Sequence, residues 1–117
     1  MTKSILFSTL CLLFLVQCKK EAIEIYDCTG VTSTYTNNIK AILDSKCATS
    51  GCHNSASQKD GKDLSSYSGA LSASNGDDFL GSIQKKNGYK AMPENGSKLD
   101  EASIKLISCW VQNGAPQ

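Results

Sequence analysis

From Ile5 to Val16 the chain is apolar at almost every position, with no period. Beyond that run the apolar residues thin out and recur at helical spacing. Tyr35, Ile39, Ile42 and Leu43 fall at i, i+4, i+7 and i+8, one face of a helix that runs to about Lys46. Asp77 and Asp78 open a second, short helix carrying Phe79, Leu80 and Ile83, their charge suiting a helix N-terminus. Asn87-Gly88 ends it. In the last and most regular helix Asp100 is the expected N-cap, and Ile104, Ile107, Trp110 and Val111 form the inner face. Gly114 and Pro116 stop it. Between Asn54 and Asn75 lies a Ser-, Gly- and Lys-rich stretch with one helical turn near Ser65 to Leu71. No strand alternation and no internal repeat stands out. The expected fold is a small all-α domain with long loops.

The aperiodic run at the start decides how the rest is divided. Met1-Thr2-Lys3 gives it a cationic start, and Lys19, Lys20 and Glu21 restore charge soon after it ends. About a dozen apolar residues are too few to span a bilayer, which takes roughly 20 in a helix. They suit the hydrophobic region of a signal peptide. Leu15-Val16-Gln17-Cys18 resembles the lipobox of bacterial lipoproteins, although Gln17 stands where that pattern prefers a small residue. The resemblance implies cleavage before Cys18 and a lipid on its sulfur; the plainer alternative is an ordinary signal peptide with Cys18 as a spare thiol. The expected organisation is a lipoprotein-type signal peptide over 1–17, a tether and entry segment over 18–34, and the folded domain over 35–117. An exported protein, periplasmic or at the cell surface and lipid-anchored to a membrane, follows.

Composition narrows the partners. The chain has 117 residues, room for one small domain, with 12 Lys+Arg against 11 Asp+Glu, and all the basic residues are lysines. Loss of Lys3 with the signal leaves a neutral chain. That excludes the basic footprint of a nucleic-acid binder, and it makes lipid, not charge, the expected attachment to a membrane. The core is thin: Leu, Ile, Val and Phe number 14 between Cys28 and Gln117. That share lies below the roughly 20% at which disorder is suspected, but disorder also needs a high net charge. Either something other than side chains fills the interior, or disulfides staple it.

Six cysteines sharpen the question. Cys11 leaves with the signal peptide. Cys47-Ala48-Thr49-Ser50-Gly51-Cys52-His53 sets two thiols ahead of the only histidine in the chain. This is the layout of covalent haem attachment, whose usual form is C-x-x-C-H. Both thiols add to haem vinyl groups as thioethers, and the adjacent histidine becomes the proximal iron ligand. Here the spacing is C-x4-C-H. The extra Ser50-Gly51 fits a bulge, because glycine tolerates the angles this needs. The longer spacing also suits a small disulfide loop or a pair of metal thiolates. With no second histidine, the distal ligand falls to Met92, the only methionine of the domain, set before Pro93 in a Gly- and Asn-rich loop.

The stretches NNIKAILDSKCATSGCHN and AMPENGSKLDEASIKLISCWVQNGAP, with the weaker DLSSYSGAL between them, resemble small class I-like c-type cytochrome domains of bacterial lipoproteins and Planctomycete-type cytochromes. The resemblance covers most of Tyr35 to Pro116. It implies a cytochrome c-like helical domain around one haem c, with thioethers at Cys47 and Cys52, iron ligands His53 and Met92, and Trp110 packed near the haem. The departure from C-x-x-C-H puts in question how well a standard maturation system would load this chain. The implied function is single-electron transfer between redox partner proteins, not enzymatic catalysis. A histidine bound to iron cannot serve as a base, and no other nucleophile arrangement is present.

Cys28 and Cys109 remain. In an oxidising compartment two leftover thiols most simply pair; free thiols, or zinc held with Cys47, Cys52 or His53, are the alternatives. The rival functions follow from the same residues. One is a structural zinc site of Cys47, Cys52, His53 and either Cys28 or Cys109. Another is a disulfide-stapled lipoprotein that binds a protein partner without metal. A haem sensor whose Met92 dissociates is the third. Lys46, Lys59, Lys62, Lys85, Lys86 and Lys90 flank the ligand segments, but Asp60, Asp63, Asp77 and Asp78 are interleaved with them, which fits a solvated surface better than a steering patch.

Overall fold

A computed structural model describes residues 19–117. The expected signal peptide and the expected lipid site, Cys18, lie outside the described residues. Helices and no strands form the described part, which makes it all-α. No helix among these residues is long and apolar enough to cross a membrane.

The first expected helix is present in two parts. Thr34 caps it, its side chain accepting from the Asn37 amide at 3.3 Å. The opening turn, Tyr35–Ile39, is wound wide as a π-helix before α1 (Lys40–Lys46) begins. The Asn38 side chain reaches back to accept the Thr34 amide at 3.2 Å, the kind of local competition that short polar side chains bring to a helix start. The apolar face survives the change of pitch: Tyr35, Ile39 and Leu43 are buried.

α2 (Tyr67–Ser74) is longer than the single turn its sequence suggests. Ser66 caps it by accepting from the Gly69 amide at 3.2 Å. Gly69 is needed for close approach, since a Cβ there would lie 1.8 Å from the Asp63 carbonyl oxygen. α3 (Phe79–Ile83) is shorter than expected. Asp78 makes no capping hydrogen bond; its backbone is already helical, at φ −94° and ψ −12°, and its carboxylate pairs with Lys20. Gln84 turns inward and Lys85, at φ 53°, breaks the helix well before Asn87-Gly88.

α4 (Glu101–Gln112) forms as its pattern dictates. Asp100 accepts from the Ser103 amide at 2.9 Å, and Ile104, Ile107 and Trp110 are fully buried. Gly114 ends the helix at φ 85°. The tail then folds back: Trp110 Nε1 donates to the Pro116 carbonyl at 2.8 Å, as does the Tyr35 amide at 2.9 Å. Tyr35, Tyr67 and Trp110 thus share one aromatic cluster, with centroids 5.4 and 6.4 Å from Tyr35. Leu43, Leu64, Ala70, Ile83 and Leu99 complete the core.

Cys28 and Cys109 are joined in a disulfide, with Cα atoms 5.4 Å apart. It ties the entry segment to the C-terminal half of α4. A closed loop of this length contributes about 4 kcal/mol in the chain-entropy model. Upstream of it the segment lies against the loop after α3 and is no free tether.

Candidate functional site

α1 ends at Cys47, whose amide donates to the Leu43 carbonyl at 2.8 Å; the Ala48 amide donates to the same oxygen at 2.7 Å. The chain then turns back on itself. The Cys52 amide donates to Thr49 at 3.0 Å and the His53 amide to Cys47 at 3.1 Å. Ser50 and Gly51 form the tip of this turn. Gly51 is left-handed at φ 77° and its amide donates to Ser57 Oγ at 2.8 Å. The two residues beyond the usual spacing are therefore taken up in the turn, on the glycine. Downstream, the Cys52 carbonyl accepts from Lys59 at 2.8 Å and the His53 carbonyl from Leu64 at 2.7 Å. Both flanks of the histidine are fixed through the backbone.

Met92 comes from the opposite side. Its amide donates to the Ser82 carbonyl of α3 at 3.0 Å. The rest of its loop is held by side chains: Lys85 donates to the Gly96 carbonyl, Lys59 pairs with Glu94, and Lys90 pairs with Asp60 at 3.1 Å. These ion pairs join the Met92 loop to the turn after His53. They hold the Glu94 and Asp60 carboxyls below their ordinary values, through the hydrogen bonds from Lys59 and Lys90 respectively.

Between the two sides lies a cavity of 810 Å³, lined by Cys47, Cys52, His53 and Met92 together. Its walls between them include Leu64, Ala73, Phe79 and Ile83, and its rim is charged. That volume lies in the range of about 300–1,000 Å³ for small-molecule and cofactor sites. His53 is 7% exposed and its Nδ1 is buried with no hydrogen-bond partner. An orphan of this kind costs about 1–3 kcal/mol. Burial, with the neighbouring Cys52 second, pushes the Cys47 thiol up to about 11. The thiol is thus neutral and apolar at neutral pH, without the activated thiolate that nucleophilic catalysis needs.

The structure brings together the four residues singled out for a cofactor. Lys46, Lys59, Lys62 and Lys90 also line this cavity, while Lys85 and Lys86 do not. Trp110 is not on its walls; its ring is held in the aromatic cluster by Tyr35 and the tail carbonyl. Sequence inspection missed Leu64 and Ala73 as lining residues. Each sits in a stretch with no apolar period, so no local signal marks them. Cys28 and Cys109, the other candidate metal thiolates, are bonded to each other and lie outside the cavity lining. No family model, no curated protein and no solved structure is matched by this chain.

Proposed function

We propose that this chain is an exported, lipid-anchored monohaem c-type cytochrome with a cytochrome c-like fold, and that it carries single electrons between redox partner proteins. The observation that carries the proposal is one cavity lined by two thiols, the histidine next to one of them, and a thioether from another loop. The donor set suits a haem iron, with an imidazole and a thioether as axial ligands. The apolar walls and the volume suit a flat, largely apolar group.

Haem, when bound, supplies a one-electron iron couple. The chain's residues supply the rest. Cys47 and Cys52 would hold the group covalently, and the hydrogen-bonded turn between them would fix its position. His53 and Met92 would both hold the iron, and two such protein ligands favour electron transfer over substrate binding. Leu64, Ala73, Phe79 and Ile83 give the cavity its apolar wall. The thin core is then accounted for, because the cofactor contributes the missing apolar bulk. A zinc site of three thiolates and His53 is disfavoured, since the third thiol would have to come from a bonded cysteine.

Co-expression with a cytochrome c maturation system tests the proposal. The purified chain, denatured, is expected to keep a haem absorbance; a colourless polypeptide rejects haem attachment. Met92→Ala is expected to keep the covalent haem and change the axial-ligand spectrum. An unchanged spectrum would remove Met92 as the distal ligand.

A further inference from the structure

The entry segment is fastened along its length, at points far apart in sequence. Gln84 is 3% exposed, and its side-chain amide does the work of a partner strand: the Glu24 amide donates to Oε1 at 2.8 Å, and Nε2 donates to the Glu24 carbonyl at 3.0 Å. Three residues further back, the Glu21 amide donates to the Asn87 carbonyl at 2.9 Å, and the Asn87 amide to Glu21 Oε2 at 2.9 Å. Lys20 is held on three sides. It pairs with Asp78, its ammonium sits 4.8 Å from the centre of the Tyr89 ring, and its backbone crosses Gly88 so closely that a Cβ there would lie 2.9 Å from the Lys20 Cα. The disulfide at Cys28 secures the far end. Lys20 and Asp78 also line the cavity.

Cys18 is two residues from Lys20. Whatever path the chain takes, two residues reach at most about 7 Å. We infer that the segment is a strap that holds the Lys20 edge of the cavity mouth against the headgroup surface of the bilayer carrying the lipid on Cys18. This rests on the proposed lipidation of Cys18. Charge does not drive the contact, because Lys20 and Lys86 each face carboxylates of their own, Asp78 for one and Glu21 and Glu24 for the other. The length of chain does. A redox partner would then approach the cavity along the membrane plane.

Lysine footprinting with a water-soluble acylating reagent, read by mass spectrometry on vesicle-bound full-length protein, tests this. The reference is the mature chain without its lipid, free in solution. Lys20 and Lys90, on the cavity, are expected to react several-fold more slowly on vesicles, while Lys40 and Lys105 are expected to keep their rates. Two variants check the cause. A flexible Gly-Ser insertion between Cys18 and Lys19 lengthens the reach and is expected to restore the Lys20 and Lys90 rates. Gly88→Ala forces Lys20 off its seat and is expected to restore the Lys90 rate while Lys20, still two residues from the lipid, stays protected. Equal protection of all four lysines, or none, on protein whose mass shows the lipid overturns the strap. A protein whose mass shows no lipid overturns the anchor itself, and the strap's membrane role with it.

Discussion

The wall of the cavity that carries Cys47, Cys52 and His53 is tied down through its own backbone, whereas the wall that carries Met92 hangs on one amide and a set of surface side chains. On the first, the turn closes on Cys47, Thr49 and Leu43, and the chain beyond it returns to Cys52 and His53 through Lys59 and Leu64. On the second, the Met92 amide meets Ser82 and the Gly96 amide donates to the Pro93 carbonyl within the loop. The side-chain ties are the Lys85–Gly96 hydrogen bond and the Lys59–Glu94 and Lys90–Asp60 pairs, all of them solvent-exposed. Backbone bonds inside a closed turn do not depend on salt or pH over the ordinary range. Exposed ion pairs are screened by salt and contribute little. One wall is a fixed seat, and the other is a flap that solution conditions can loosen.

Removing the foundation of the fixed wall should have the largest effect. Leu43 is fully buried, and its carbonyl receives two amides of the turn. Leu43→Ala is expected to cost about 2–5 kcal/mol in urea denaturation; a smaller loss would show that the seat does not rest on α1. A milder break is Gly51→Ala. No atom lies within 4 Å of the added Cβ, but the backbone is left-handed at φ 77°. The expected loss is about 1–2 kcal/mol, all of it conformational. Haem loading of this variant, compared with the parent, shows whether the turn geometry is what accommodates the longer spacing.

Acid probes the flap with the smallest effect. The Asp60 carboxyl lies below its ordinary value of 3.8 because of the hydrogen bond and charge of Lys90. Its contribution is therefore complete above 3.8 and is lost as pH falls through the lower folded value. Hydrogen-exchange protection of the Met92 amide is expected to fall over that window, while protection at His53 and Leu64 holds. Parallel loss at all three amides would mean that the two walls open as one unit and that their contrast is not real. High salt should act on Met92 in the same direction as acid.

Much of this layout is visible along the chain, for a physical reason. Asp100 and the spacing of Ile104, Ile107 and Trp110 act within one helix, so α4 forms as its pattern dictates. The same holds for the Tyr35, Ile39 and Leu43 face. α3 was less legible, since Asp78 has two possible partners, its own helix end and Lys20, and only the fold chooses between them. The chemistry of the site was legible as residue types, because thiols beside an imidazole and a lone methionine are a small and distinctive set. That they line one cavity was not. It depends on Ser82 receiving the Met92 amide and on Leu64 closing over His53.

Taken alone, the sequence determined the last helix, the apolar face of the first, the donor atoms and the glycine that takes up the longer spacing, since each depends on neighbours a few residues away. Only the tertiary structure decided that His53 and Met92 share a cavity, that Trp110 does not line it, and that the entry segment is fastened to Gln84, Asn87 and Asp78. Those outcomes turn on long-range partners: the Gln84 amide for Glu24, Gly88 under Lys20, and the Pro116 carbonyl for the indole. A donor or a missing Cβ takes its meaning from what the fold brings opposite it, and no local pattern encodes that.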